Sequence, residues 1–240
     1  MKLKLLALAV TSIVSVNAMA VTIDYRHEMQ DTKDAGHKDR LLMSHRFANG
    51  FGLSLESKWK NGEPSKNTTP NKPFHESVSN DTEVVASYVY KFNKTWSLEP
   101  GFTMASSSSN NEYKPYLRAK VKITDDLSYS FRYRPYYKRM SNNIGQAGKQ
   151  TSESGYNLTG VLSYSFLKNW QIDYEMDYKK SNQYQNFQFD KDTWKLEHDV
   201  KLSYKWDKNW KPYTAIGNVI QDGTSDHRQT RFRVGVQYSF

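Results

Sequence analysis

The sequence predicts an all-β, membrane-spanning fold: a twelve-stranded antiparallel transmembrane β-barrel. Three observations carry that expectation. Apolar and charged residues alternate with period two over stretch after stretch, which gives an extended strand two unlike faces. Five short turns of one design each separate a pair of bulky apolar residues, as tight hairpins do. The alternation also runs to the last residue, Phe240. Aromatic residues make up 14% of the chain, 17 of them tyrosine, and disordered chains are poor in such side chains.

The first residues read as something other than fold. Lys2 and Lys4 precede an apolar stretch from Leu5 to Val16, and Ala18-Met19-Ala20 is a small-x-small cleavage site. Residues 1–20 are therefore expected to be a cleaved signal peptide and residues 21–240 the barrel. Downstream, no apolar run approaches the roughly 18 residues of a membrane-spanning helix, so any crossing must use strands. The chain has no cysteine. That excludes a disulfide scaffold, a thiolate metal site, an iron–sulfur cluster, a cysteine nucleophile and a lipidated cysteine after the leader.

Taken in order, the first strand carries Asp24, Arg26 and Glu28 on its polar face, and the second Lys38, Arg40 and Arg46. A turn at Phe47–Phe51 leads to strands three to five, whose polar faces bear Glu56, Glu83 and Glu99, with a turn at Phe92–Trp96 between the last two. Strand six shows the pattern plainly. Tyr113, Pro115, Leu117, Ala119, Val121 and Ile123 alternate with Lys114, Tyr116, Arg118, Lys120 and Lys122. After the turn at Ile123–Leu127, strand seven sets Leu127, Tyr129, Phe131, Tyr133 and Tyr137 against Ser128, Ser130, Arg132, Arg134, Tyr136 and Lys138. A turn at Phe166–Trp170 joins strand eight to strand nine, which carries Asp173, Glu175 and Asp177. Strand ten opposes Trp194, Leu196, Val200, Leu202 and Tyr204 to Lys195, Glu197, Asp199, Lys201 and Lys205. The turn at Trp206–Trp210 opens strand eleven, and strand twelve ends on Phe232, Val234, Val236, Tyr238 and Phe240. Helical readings of these segments would put charge on every side.

Between the short turns lie longer polar connections at 61–80, 106–111, 141–152, 181–191 and 221–229. Short turns at one rim, long loops at the other and an outward apolar band edged by aromatics is the plan of an outer-membrane barrel. A soluble β-sandwich would need a mainly aliphatic core. A complete aromatic girdle predicts lipid on all sides, hence a monomer, and the aromatic C-terminus at Phe240 is expected to be read by the barrel-assembly machinery.

With apolar residues toward lipid, the alternate residues line the lumen. Strands six and seven supply Lys114, Arg118, Lys120, Lys122, Arg132, Arg134 and Lys138 without an acid. Strands two and twelve supply Arg40, Arg46, Arg231 and Arg233, again without one. In a closed twelve-stranded ring strand six faces strand twelve, so two basic walls are expected to oppose each other. Such walls suit anionic solutes. Inward side chains recur about every 7 Å along a strand, enough to hand a multiply charged solute from one to the next. Interleaved Tyr116, Tyr136 and Tyr213 offer aromatic faces for sugar rings, so the predicted solute is an extended, carboxylated sugar chain.

Several strings resemble one known family, the oligogalacturonate-specific outer-membrane porins. They are Ile23-Asp24-Tyr25-Arg26-His27-Glu28-Met29, His37-Lys38-Asp39-Arg40-Leu41-Leu42, Ser44-His45-Arg46-Phe47, Arg132-Tyr133-Arg134-Pro135-Tyr136, Leu202-Ser203-Tyr204-Lys205-Trp206 and Arg231-Phe232-Arg233-Val234-Gly235-Val236-Gln237-Tyr238-Ser239-Phe240. The resemblance implies a monomeric twelve-stranded barrel in the bacterial outer membrane that passes pectin-derived oligogalacturonates along opposed basic tracks. Those tracks would include Arg118, Arg132 and Arg134 on one side and Arg40, Arg46, Arg231 and Arg233 on the other. Lys114 and Lys120 stand where the family pattern has arginine, which keeps charge but loses the bidentate fork. A related branch passes sialic acid and shares Arg132-Tyr133-Arg134, leaving sialic acid or a generic anion porin as the alternative solute readings.

Enzyme readings find little support. His27-Glu28 lacks the second histidine of a zincin, and no Gly-x-Ser-x-Gly occurs. His45 and His198 fall on the lipid-facing register without a serine partner, which makes a phospholipase barrel the weaker alternative. No metal and no cofactor is expected. Charge confined to alternate strand positions is not an exposed nucleic-acid patch.

Overall fold

The computed structural model describes residues 21–31, 36–61, 73–74, 76–142, 144 and 146–240; the expected signal peptide lies outside them. Twelve antiparallel strands form a closed ring. They are β1 (Thr22–Gln30), β2 (His37–Arg46), β3 (Phe51–Asn61), β4 (Ser77–Tyr88, resuming at Tyr90–Lys91), β5 (Trp96–Ser106), β6 (Asn110–Lys122), β7 (Leu127–Met140), β8 (Ser152–Phe166), β9 (Trp170–Ser181), β10 (Trp194–Tyr204), β11 (Trp210–Ile220) and β12 (Arg228–Ser239). Each strand pairs with its sequence neighbours, and β12 closes on β1 from Ser239 opposite Thr22 to Arg231 opposite Gln30. Closure leaves no sheet edge, as a strand in hydrocarbon requires, because an unpaired N–H or C=O there has no water to bond. β4 is irregular twice: the pairing with β3 shifts at Lys58/Trp59, and Val89 interrupts the strand while donating its N–H to the Gly50 carbonyl at 2.9 Å.

The five tight turns are where the sequence puts them, and each is built from local chemistry. Phe47, Phe92, Ile123 and Trp206 donate their backbone N–H to the carbonyls of Phe51, Trp96, Leu127 and Trp210, and Phe166 pairs with Trp170. Inside the turns, Asn93 Oδ1 accepts from the Thr95 and Trp96 amides, and Asp207 Oδ1 from Asn209 and Trp210. The Trp210 and Asn209 amides hold the Asp207 carboxyl below its usual range. The turn at Leu167–Lys168 takes left-handed φ at both residues without a glycine. One expected long loop is corrected: only Ser107–Ser109 separate β5 from β6, because Asn110 and Asn111 pair back across Ser106 and Met140 and extend the sheet.

The expected inside–outside register holds. On β6, Lys114 and Tyr116 are buried while Leu117 is 46% exposed. Around the ring the exposed side chains are Leu53, Val84, Phe102, Phe131, Leu162, Ile172, Val200, Ile216 and Val234. That is the inverse of a soluble core and fits a lipid-facing wall. Ring pairs edge it at the short-turn rim, among them Phe47–Phe51, Phe166–Trp170 and Trp210–Tyr238. A second series, Tyr133–Tyr156–Tyr178–Trp194, edges the other rim. Asp39 departs from the pattern by carrying an acid outward. Its carboxylate is covered by the Tyr25 hydroxyl at 2.6 Å and His27 Nδ1 at 2.9 Å.

This register makes a direct prediction. Cysteines placed at Tyr129, Phe131, Leu202 and Val234 react with lipid-phase reagents, and those at Arg132, Arg134, Lys201 and Arg233 with water-phase reagents. A one-residue slip exchanges the two sets, so labelling in the reversed sense contradicts the fold.

Candidate functional site

The lumen holds the chain's charge. Its central cavity, about 840 Å³, is lined on one side by Arg118, Lys120 and Arg132 and on the other by Arg26, Arg40 and Arg233. The two expected basic walls therefore do face one space. A second cavity of about 550 Å³ brings Arg134, Arg132 and Arg118 together with Arg40, Arg46 and the carboxylates of Glu56, Glu83 and Glu99.

The walls differ in what neutralises them. On β12, β1 and β2 every lumen-facing arginine is tied to acid. Arg231 pairs with Asp199, and Arg233 with Glu28 at 2.8 Å and Asp199 at 3.3 Å. Arg40 bridges Asp24 at 2.8 Å and Glu56 at 3.3 Å, and Arg26 lies 3.9 Å from Glu28. Arg46 and Arg118 share Glu99 from opposite sides, each at 3.0 Å. Lys114 is buried between Glu112 at 3.1 Å and Glu83 at 3.6 Å, while Lys58 contacts Glu56, Glu83 and Asp81. At the two rims Lys122 pairs with Asp125 of its own turn and Lys138 with Glu153.

Arg132, Arg134 and Lys120 are different. Among the described residues no carboxylate comes within 4.0 Å of any of them. Arg132 Nη2 donates to Thr159 Oγ1 at 3.0 Å, and that hydroxyl donates onward to Asp177 at 2.7 Å. The Nε groups of Arg132 and Arg134 carry no hydrogen bond. Arg132 sits directly across from Arg118, so β6 and β7 present adjacent guanidinium groups at mid-wall. The expectation that these two strands carry no acid is corrected at the loop end of β6, where the sheet extends to Asn110 and brings in Glu112. Repulsion between such neighbours is tolerable in a wet lumen and is relieved when an anion enters.

The tyrosines do something the sequence reading did not anticipate. Tyr116, Tyr136 and Tyr213 each lie opposite a glycine of the next strand: Gly101, Gly155 and Gly235. A Cβ at any of the three glycines would meet the ring within 2.8 Å. Each ring also carries a cation, Arg118 at 5.6 Å, Lys179 at 5.1 Å and Lys201 at 5.7 Å from the centroid. Tyr116 and Tyr213 donate to Glu99 and Asp24. The rings thus form a floor on which cations rest. Lys179 and Lys211 belong to the lumen and went unmarked in the sequence. Their position on the polar register of strands nine and eleven was the available signal.

Residues 14–240 match the family described as oligogalacturonate-specific porin protein (KdgM). The chain is 63% identical over 240 residues to the oligogalacturonate-specific porin KdgM of Dickeya dadantii (strain 3937), covering all of both chains. It is 24% identical over 227 residues to the N-acetylneuraminic acid outer membrane channel protein NanC of Escherichia coli (strain K12), covering 92% of this chain and 91% of that one. Among solved structures it resembles a KdgM porin in complex with disordered oligogalacturonate. The TM-score is 0.67 and the identity 53%, over 91% of this chain and 99% of the other.

Proposed function

Because this chain belongs to the family of oligogalacturonate-specific porins, outer-membrane channels and not enzymes, we propose that its solutes are oligogalacturonates and that the β6–β7 wall attracts them. The observation that carries this reading is the lack of carboxylate partners at Lys120, Arg132 and Arg134. A polyuronate offers one carboxylate per sugar ring, and Arg presents it a planar fork. On the facing wall Arg26, Arg40, Arg231 and Arg233 are shared with Asp24, Glu28, Glu56 and Asp199, so they bind a passing carboxylate only in competition with the protein's own. In this reading one wall attracts and the other guides, which keeps binding weak enough for release. Arg46, Lys114, Lys122 and Lys138 tune the potential at the two mouths rather than gripping the sugar.

Single-channel recording tests the solute. Oligogalacturonate is expected to block current at lower concentration than sialic acid or neutral maltose. Equal block by the uronate and by maltose contradicts the reading, and stronger block by sialic acid transfers it to that sugar.

Two further properties belong to the same proposal. The aromatic pairs that edge the apolar wall at the short-turn rim support a monomer with lipid on all sides. Purified barrel in mild detergent should have the mass of one chain plus its micelle, and a stable trimer contradicts this. Phe240, 66% exposed and edge-on to Tyr238 beside the β1–β12 seam, is the end that the assembly machinery reads.

A further inference from the structure

Within the described strands, the outward register carries full charge at Asp39, Arg139, Lys180 and Arg228. All lie at the long-loop ends, which in an outer-membrane barrel meet the outer leaflet. Asp39 is covered by its own neighbours. The three cations have no carboxylate within 4.0 Å among the described residues.

Two of them lie on either side of the start of β10, which carries Trp194. Lys180 is the cross-strand partner of Trp194, and its Nζ donates to Thr193 Oγ1 at 2.7 Å. Arg228 reaches over from β12, donating through Nη2 to the Leu196 carbonyl at 2.7 Å and through Nε to Asn218. The ring of Phe189 holds it from the loop side at 5.6 Å. Its Nη1 makes no hydrogen bond among the described residues. Trp194, stacked on Tyr178 and partly exposed, is the register partner of Lys180 and stands two residues before Leu196, whose carbonyl takes Arg228. Below this rim the wall is mainly apolar, with Tyr174, Met176, Val200 and Ile216 all exposed and the His198 ring bonded to the Tyr174 hydroxyl at 2.8 Å. The acids nearby, Asp190, Asp192, Asp222 and Asp226, are on the loops, and Asp222 is taken up by Thr224 and Ser225.

We propose that Lys180 and Arg228, flanking Trp194, bind the phosphate of a phosphorylated outer-leaflet glycolipid, with its sugar against the indole and its acyl chains on the wall below. The chemistry is complementary at each level. Two cations face an anionic headgroup, an aromatic plane meets a sugar, and exposed apolar side chains meet hydrocarbon.

Native mass spectrometry of the intact barrel in mild detergent tests this, with lipid A carrying both phosphates and its fully dephosphorylated analogue as probes. The phosphorylated lipid should be retained, and the Lys180→Gln/Arg228→Gln double variant should lose roughly tenfold in affinity through loss of two charge-assisted contacts. Arg139→Gln, with its side chain on Thr151 and away from Trp194, should bind as the unaltered protein does. Conductance of the double variant should be unchanged, since both side chains point away from the lumen. Equal retention by the double variant, equal retention of the dephosphorylated lipid, or the same loss in Arg139→Gln each overturns the site.

Discussion

Barrels carrying Arg134→Glu should assemble and conduct, yet lose anion preference and be blocked by oligogalacturonate at least about tenfold more weakly, a change of about 1.4 kcal/mol. The substitution moves the local charge by two units at a residue with no acid to release. A unit charge pair at about 4 Å is worth about 4 kcal/mol at an effective dielectric near 20, before salt and water reduce it. Tenfold is therefore a conservative expectation, and the loss should be largest at low salt. The same reversal at Arg233 has a different outcome, because Arg233 neutralises Glu28 and Asp199. There the expected result is poor assembly, since two carboxylates are stranded together. Arg134→Lys separates charge from shape: reversal potential stays and uronate block weakens, because only the fork is lost. If Arg134→Glu leaves both block and reversal potential unchanged, the β6–β7 arginines are scaffolding.

Gly155→Ala should largely abolish folded barrel. A Cβ at Gly155 would stand 2.0 Å from the Lys180 carbonyl and 2.7 Å from the Tyr136 hydroxyl. The tyrosine ring can shift, but the carbonyl belongs to the β8–β9 ladder, where Gly155 opposes Ser181, and cannot move without breaking strand pairing. Overpacking of this kind costs about 1–3 kcal/mol where neighbours yield and more where they are backbone. Gly36→Ala is the comparison, since its Cβ meets only the end of the Gln30 side chain at 3.3 Å. Heat-modifiable electrophoretic mobility reads the folded fraction of both. Equal yields of Gly155→Ala and Gly36→Ala would contradict the packing described.

These two positions show what sequence can and cannot deliver. Arg134 was legible because a strand between lipid and water has strictly alternating environments. Its lumen side follows from counting by two from Phe131 and Tyr133. The count of twelve came from the turns, five tight hairpins plus one strand at each end, and turns such as Phe166–Trp170 and Trp206–Trp210 fixed which strands are hairpin partners. Gly155 was not legible, because its role depends on the residue opposite it, and register across a strand pair is set by turn geometry and bulges. For the same reason the charge census along single strands overstated the β12–β2 wall. Arg231 and Arg233 have no acid on their own strand, yet Asp199, two strands away, reaches both. The cover that Tyr25 and His27 give Asp39 and the cations resting on Tyr116, Tyr136 and Tyr213 are likewise cross-strand facts. The loop at 106–111 was overestimated because Ser and Asn read as turn formers when in fact Asn110 and Asn111 pair in the sheet.

In the proposed reading Lys120, Arg132 and Arg134, the cations of the β6–β7 wall without a carboxylate within 4.0 Å among the described residues, set the sign of the field that a solute meets in the lumen. The reversal potential of the unaltered channel under a KCl gradient measures that sign directly. A potential displaced toward the chloride equilibrium value, more strongly as total salt is lowered, is the expected result. A potential at zero, or displaced toward the potassium value, would contradict it.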